Sequence, residues 1–140
     1  MKTIALLLGM FITSLVAEAQ DTDGITLTLT IENIISSEGN VLTALHSEET
    51  FMKGPGIQNK KEKAKQGSIT VKFKNIAPGT YALSVLHDEN ENQKMDFEDN
   101  GMPKEKYAMS GTNGKMGPPS FSDVNFEVGE EDMNIHLKFE

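Results

Sequence analysis

The sequence predicts an all-β fold, an antiparallel β-sandwich of two sheets with about six to seven short strands. Several short segments alternate apolar and polar residues with a period of two, which is the pattern of a strand with one buried face. Turn-forming Gly, Pro, Asn and Asp residues separate these segments, and no long segment repeats apolar residues with a helical period. The chain of 140 residues is long enough for one such domain.

The first 19 residues predict a secretory signal peptide that is removed from the mature protein. After an early lysine, an apolar run covers residues 4–16, and Ala17 and Ala19 are small residues of the kind that a signal peptidase recognises. The run is shorter than the roughly 20 apolar residues that span a bilayer. We therefore expect cleavage between Ala19 and Gln20, one β-sandwich domain over residues 20–140 without a transmembrane segment, and a secreted, periplasmic or cell-envelope location.

Composition narrows the classes of function. The formal net charge of −8 disfavours binding to nucleic acid and to anionic lipid. The chain contains no Cys and no Arg, so it has neither a thiol nucleophile nor the guanidinium group that usually grips phosphate. No Ser lies in a G-x-S-x-G nucleophile turn. These observations predict a protein that is not an enzyme and that has no nucleic-acid partner.

Two strands and a turn are predicted in the first part of the domain. Residues 25–32 alternate Ile or Leu with mostly Thr, and residues 41–46 form a second strand. The polar segment 36–40, which contains Gly and Asn, predicts a tight turn, so we expect these two strands to pair as a hairpin. Residues 47–52 are expected to form a single helical turn capped by Ser47.

The remaining strands follow a lysine-rich segment. Residues 60–65 contain four lysines, which we interpret as a solvated connection or a sheet edge. A third strand is predicted over residues 67–74, and Pro78 with Gly79 predicts a tight turn after it. Residues 80–87 are largely apolar on both faces, which favours a central strand. The last two strands are predicted at residues 124–128 and 135–139.

An acidic segment at the start of a long irregular stretch carries the clearest functional signal. Counted from Asp88, side-chain oxygens fall at positions 1, 3, 5, 9 and 12, the spacing at which a chain wraps a calcium ion in loops of the EF-hand kind. A backbone carbonyl at position 7 supplies a further ligand in such loops. The predicted calcium ligands are Asp88, Asn90, Asn92, Lys94 through its carbonyl, Asp96 and Asp99.

Three features of this segment depart from the EF-hand pattern. Position 6 is Gln93, where such loops usually need Gly, and position 12 is Asp99, which is shorter than the usual Glu. A strand rather than a helix is predicted before the loop. These features exclude an EF-hand fold but not a local calcium loop. The alternative is an Asx-rich surface turn that is held by its own side-chain hydrogen bonds, and the sequence leaves both open.

A second candidate surface lies in the long loop over residues 97–121, which is predicted to shape a pocket for a glycan or a peptide, with an envelope protein or glycan as the partner. Its candidate residues are Tyr107, Pro118, Pro119 and Phe121. The three histidines have no spacing that brings them together, so no transition-metal site is predicted from His46, His87 and His136. These patterns do not specify an oligomeric state.

Four segments together resemble a known family: residues 39–45, the Pro-Gly-Thr-Tyr turn at 78–81, residues 87–92, and residues 117–121. In this order they resemble the uncharacterised bacterial exported family DUF2141 (domain of unknown function), common in Bacteroidetes-type bacteria, over nearly the whole mature chain. The resemblance implies an exported β-sandwich of unknown activity. The family pattern usually has Gly at the position of Gln93.

The turn at 78–81 is also similar to turns in transthyretin-like and collagen-adhesin B-type sandwiches, which implies a transthyretin-like or immunoglobulin-like sandwich. The acidic loop is similar to calcium loops in the B repeats of surface proteins. A hydrolase related to transthyretin-like ureide enzymes is a remote alternative, since those enzymes use Arg and clustered His and this chain has no Arg. The leading prediction is an exported, non-enzymatic β-sandwich module with a calcium-binding acidic loop.

Overall fold

The computed structural model describes residues 24–111 and 117–140, so the predicted signal peptide lies outside the described residues. Eight strands and one short helix form within them. The strands are β1 (Ile25–Ile34), β2 (Asn40–His46), β3 (Gln58–Lys63), β4 (Gly67–Ile76), β5 (Gly79–Asp88), β6 (Tyr107–Met109), β7 (Phe126–Val128) and β8 (Met133–Lys138), and the helix is α1 (Phe121–Val124).

The strands form two sheets, which confirms the predicted all-β sandwich. One sheet has the order β4-β1-β8, and the other has the order β3-β2-β5-β6, with β7 also paired to β5. Apolar side chains from both sheets meet in one core, including Leu29 from β1, Phe73 from β4 and Leu83 from β5, all fully buried. Burying this continuous apolar layer is what holds the two sheets face to face.

The period-two pattern correctly predicts which side chains of β1 face the core. Leu27, Leu29 and Ile31 are buried, whereas the Thr residues between them are only partly covered. β5 lies inside its sheet, where it pairs with β2, β6 and β7. Its central position explains why apolar residues occupy both of its faces.

The predicted hairpin between β1 and β2 is wrong. β1 pairs with β4 and β8, whereas β2 pairs with β3 and β5 in the other sheet. Residues 35–39 therefore cross from one sheet to the other. Five extended residues span about 16 Å, which exceeds the roughly 10 Å between packed sheets, so this turn is long enough for a crossing.

Two further details differ from the prediction. The β1–β8 pair is parallel, with Leu29 opposite Ile135, while every other strand pair is antiparallel among the described residues. The two strands are distant in the chain, so no hairpin dictates their relative direction. The lysine-rich segment forms the edge strand β3, which pairs with β2 and exposes its lysines to solvent.

A small apolar cluster covers one end of the outer face of the β2–β5 sheet. Phe51, which follows a turn in which its N–H bonds to the carbonyl of Ser47, packs with Ala82 of β5 and Val124 of α1. This cluster anchors α1 on β5 and leaves the rest of that face open. In the described part of the chain, no helix is long and apolar enough to cross a membrane.

Candidate functional site

The predicted calcium loop begins at the last residue of β5, where the Asp88 carboxylate is fully buried. Its two oxygens accept backbone N–H groups from farther along the loop, Oδ1 from Asn92 at 3.1 Å and Oδ2 from Gln93 at 2.8 Å. The chain therefore curls back around this carboxylate. Burial of Asp88 is tolerated because these N–H groups satisfy the charged oxygens.

Two amide side chains converge on the carboxylate of Asp96. Asn90 and Asn92 each donate an Nδ2–H to Asp96 Oδ2 at 2.7 Å. The same amides accept backbone N–H groups, with Asn90 Oδ1 accepting from Asn92 and Asn92 Oδ1 accepting from Lys94. The hydrogen bond from Asn90, with smaller contributions from Asn92 and two nearby lysines, lowers the pKa of Asp96 below its usual value.

Gln93 adopts the backbone conformation that its position requires. Its φ is +61°, in the left-handed region that a side chain disfavours. Calcium loops of this spacing usually place Gly at this position because the turn is sharp. The structure therefore keeps the turn despite the Gln side chain, and the cost is local backbone strain.

Glu105 belongs to this site and was missed in the sequence analysis. Its Oε2 accepts the backbone N–H of Asp96 at 3.3 Å, and its Oε1 is buried without a hydrogen-bond partner. Burial, together with the negative charges of Asp88 and Asp96, raises the pKa of Glu105. The backbone N–H of Glu89 also faces this carboxylate, although Oε1 forms no hydrogen bond of normal geometry. A partly buried carboxylate close to two others is an arrangement that a cation would relieve.

Loop spacing could not reveal Glu105, because it lies 17 positions after Asp88 in the sequence. A backbone hydrogen bond brings it close, since the Lys104 N–H donates to the Asp96 carbonyl at 2.8 Å. This bond forms at the base of a small hairpin in which Phe97 bridges to Pro103. The hairpin thus folds the chain back so that residues after it return to the loop.

Asp99 lies at the tip of that hairpin and is exposed. None of the hydrogen bonds that join Asp88, Asn90, Asn92 and Asp96 includes it. Within the described residues, Glu105 rather than Asp99 returns to the carboxylates of the loop.

Two residues on the crossing turn and on β5 hold the start of the loop in place. Gly39 packs so closely that a Cβ built on it would lie 2.1 Å from the carbonyl oxygen of Asp88. His87 is buried beside Asp88 and donates from Nε2 to the Glu38 carbonyl at 2.8 Å. The imidazole also stacks on Phe139 with ring centroids 6.1 Å apart. The loop therefore leaves a rigid part of the sandwich.

The side chains of the loop border an open cavity of about 400 Å³, which Asn90, Asp96 and Glu105 line together with Lys104. In residues 24–111 and 117–140, no three His, Cys, Asp or Glu side chains form a ready metal cage. Calcium also takes amide and carbonyl oxygens, so carboxylates are only part of the ligand set that this loop offers.

The second predicted surface is divided in the structure. Tyr107 lies on β6 opposite Leu86 and is 44% exposed, whereas Phe121 packs against Phe51 with ring centroids 5.8 Å apart. Pro118 and Pro119 precede α1. No hydrogen bond or ring contact in the described part of the chain joins Tyr107 to these three residues. The middle of this predicted loop, residues 112–116, lies outside the described residues.

The three histidines lie apart. His46 lies between two hydroxyl side chains, an arrangement that the sequence did not reveal. His46 Nε2 lies 3.2 Å from Ser84 Oγ, and His46 Nδ1 lies 3.3 Å from Thr50 Oγ1. Burial lowers the pKa of His46. A serine hydrolase triad places a carboxylate on Nδ1, and a threonine hydroxyl takes that position here.

Comparison with known proteins agrees with the resemblance noted from the sequence. A family model described as "Uncharacterized protein conserved in bacteria (DUF2141)" matches residues 29–136. No curated protein and no solved structure matches the chain. The matched range runs from within β1 to within β8 and includes the whole acidic loop and Glu105. Since the match covers most of the chain, the protein belongs to this uncharacterised bacterial family, DUF2141.

Proposed function

We propose that this protein is a non-enzymatic β-sandwich module whose loop between β5 and β6 binds a calcium ion. The observation that carries the proposal is the carboxylate of Glu105, whose Oε1 is buried without a hydrogen bond of normal geometry and which lies close to the carboxylates of Asp88 and Asp96. In a chain without cysteines, a bound cation is one way to stabilise a long irregular segment. The bound ion supplies structural stabilisation, not chemistry.

The residues present fit the preference of calcium for six to eight hard oxygens. The side chains that would hold the ion are Asp88, Asn90, Asn92, Asp96 and Glu105. Each carboxylate or amide oxygen has two lone pairs, so an oxygen that accepts one N–H can still face a cation. The Asn amides would turn their oxygens to the ion, and the predicted carbonyl of Lys94 and water would complete the set.

A bound cation would also offset the repulsion between the neighbouring carboxylates of the loop. Without it, the negative charges of Asp88 and Asp96 add to burial in raising the pKa of Glu105, which disfavours ionisation of Glu105. Extracellular calcium modules bind at about 10⁻⁴–10⁻³ M. Calcium at ten times its dissociation constant would then stabilise the fold by about 1.4 kcal/mol, by mass action.

Calorimetric calcium titration of the chelator-treated protein tests the proposal, with two matched variants beside it. We expect saturable binding that Glu105→Gln weakens about tenfold or more, because it removes a charged ligand. Asp99→Asn makes the same chemical change at an exposed residue outside the network, so it should leave the affinity nearly unchanged.

Two outcomes would contradict the proposal. Absence of binding heat up to several times the expected dissociation constant would leave a self-bonded Asx turn as the description of the loop. A loss of affinity in Asp99→Asn with none in Glu105→Gln would assign the ion to the predicted Asp99 set and remove Glu105 from the site. Circular dichroism of each variant checks that the sandwich is folded.

We also propose that the protein is exported, on the support of the apolar N-terminal run and the small residues Ala17 and Ala19. N-terminal sequencing of the protein recovered from the cell envelope or medium should begin at Gln20. An intact Met1 in the exported fraction would contradict cleavage before Gln20. The alternative ligand surface over residues 97–121 has less support, because Phe121 is engaged in packing.

A further inference from the structure

The outer face of the β2–β5 sheet contains an open groove of about 550 Å³ away from the calcium loop ligands. Its floor is formed by outward side chains of the two strands, with Leu42 opposite Leu86 and Ala44 opposite Ser84 in the register. The turn at Pro55 and the edge strand β3 bound one side, and Gln93 borders it as well. This volume lies within the range of small-molecule sites.

The charges around the groove differ from those of the rest of the protein. The chain has 21 acidic residues and a net charge of −8, yet no carboxylate lines the groove, and Lys60 and Lys61 do. Lys61 pairs with Leu42, so its side chain emerges on the groove face, and it forms no ion pair within the described residues. Glu91 lies near this face, but it is paired with Lys63 and Asn40 and does not line the groove. The unpaired ammonium of Lys61 therefore favours an anionic ligand in the groove.

The groove offers side chains rather than backbone for hydrogen bonding. β2 and β5 both lie inside the sheet, so their N–H and C=O groups are already paired and a peptide cannot add here as a strand. The polar side chains that line the groove besides the lysines include Ser84, His46, Asn59 and Gln93, and His46 already lies within hydrogen-bond distance of Ser84. Burial keeps the pKa of His46 low, so the positive charge comes from the lysines.

We propose that this groove binds an acidic oligosaccharide, a sugar chain that carries uronate carboxylates. The half-buried Leu42 and Leu86 would contact the apolar face of a sugar ring, and Lys61 would pair with a carboxylate. Tyr107 lies opposite Leu86 in the register and is 44% exposed, so it extends the same face with an aromatic ring. The proposal does not depend on calcium binding.

The test is calorimetric titration of the mature protein with uronate tetrasaccharides (galacturonate, glucuronate and mannuronate types) in chelator and low salt. Carboxyl-reduced tetrasaccharides of the same length serve as neutral probes, and tetraglutamate serves as an acidic peptide. Lys61→Gln removes the groove charge. Lys72→Gln removes an exposed lysine from the other sheet and is the matched control.

We expect saturable binding of at least one uronate tetrasaccharide, weakened about tenfold by Lys61→Gln. Lys72→Gln should leave it unchanged, and the reduced sugar should not bind. Lack of binding by every uronate probe, equal effects of the two lysine variants, or tighter binding of tetraglutamate would overturn the proposal. Since all titrations are made in chelator, a negative result here is independent of the calcium experiment.

Discussion

Gln93 holds a left-handed backbone conformation that glycine adopts without strain. Its N–H donates to the buried Asp88 carboxylate, so the loop cannot relax this φ of +61° without breaking that bond. Holding a side-chain-bearing residue in this region costs on the order of 1–2 kcal/mol. The side chain of the same residue borders the groove on the outer face of the β2–β5 sheet.

Gln93→Gly should therefore stabilise the protein, although glycine gives back part of the gain by loosening the unfolded chain. We expect the free energy of unfolding in urea to rise by about 0.5 kcal/mol. Lys94→Gly is the control, because Lys94 is not among the residues with positive φ, and this variant should lose about 0.5–1 kcal/mol. A destabilising Gln93→Gly would show that side-chain contacts of Gln93 outweigh the strain.

The raised pKa of Glu105 predicts a pH dependence of stability in the calcium-free protein. Because the folded state holds this proton more tightly than the unfolded chain, the contribution of Glu105 is most favourable below its ordinary pKa of 4.5. That contribution is lost as the pH rises through the raised pKa. Ionised Glu105 is then a destabilising charge at neutral pH.

Glu105→Gln should therefore be more stable than the wild type in chelator at about pH 7, and this advantage should vanish at about pH 4. Urea unfolding of both proteins at the two pH values measures the difference, and carboxylates far from Glu105 affect both proteins alike. With calcium bound as proposed, saturating calcium should make the wild type more stable than Glu105→Gln at neutral pH, because the variant binds the ion more weakly. An advantage that is independent of pH would contradict the assignment.

At the scale of elements, the crossing turn between β1 and β2 fixes where the acidic loop begins. Gly39 has a φ of +68° and contacts the backbone at Asp88 and Glu89. His87 donates to the carbonyl of Glu38 in the same turn. Two independent contacts therefore join this turn to the end of β5. At Gly39 the contact is with backbone atoms of the loop, which cannot move aside as a side chain would.

Gly39→Ala should displace the backbone at Asp88 and cost about 2 kcal/mol of the free energy of unfolding. If the loop binds calcium as proposed, the variant should also bind it more weakly, because Asp88, the first proposed ligand, moves. Gly129→Ala is the matched control, since nothing lies within 4 Å of a Cβ at that position and its φ is not in the left-handed region. Thermal unfolding and calcium titration of the two variants provide the measurements. Equal melting temperatures for both would exclude the close contact.

At the scale of the whole molecule, the chain end after β8 joins both sheets. Phe139 is 1% exposed, its N–H donates to the carbonyl of Glu32 beside β8, and its ring stacks on His87 of β5. The Asn33 side chain also donates to the Phe139 carbonyl at 2.6 Å. The parallel β1–β8 pair thus places an aromatic ring under the start of the acidic loop.

Phe139→Ala should leave a cavity in the core and cost about 3–5 kcal/mol of the free energy of unfolding. Phe97→Ala is the comparison, since Phe97 is 57% exposed and its loss should change stability by less than about 0.5 kcal/mol. Urea unfolding followed by circular dichroism distinguishes the two. A loss for Phe139→Ala as small as that expected for Phe97→Ala would place Phe139 outside the cooperative core.

The sequence alone determined the properties that depend on neighbouring residues. Alternation with period two predicts which residues of β1 face the core, because a strand turns successive side chains to opposite faces. Apolar residues on both faces of β5 likewise predict its central place in the sheet. Pro78 and Gly79 predict the turn between β4 and β5 for the same local reason. The oxygen spacing from Asp88 likewise identifies the loop that curls around its own carboxylate.

Only the tertiary structure decided which distant parts of the chain meet. The pairing of β1 with β4 and β8, the return of Glu105 to the carboxylates, and the acid-free groove all depend on contacts between segments far apart in the sequence. Such contacts are selected by how well whole apolar faces pack, not by local backbone preference. For this reason the sequence predicted a β1–β2 hairpin that the fold does not form, and it gave no sign that Glu105 lies beside the loop.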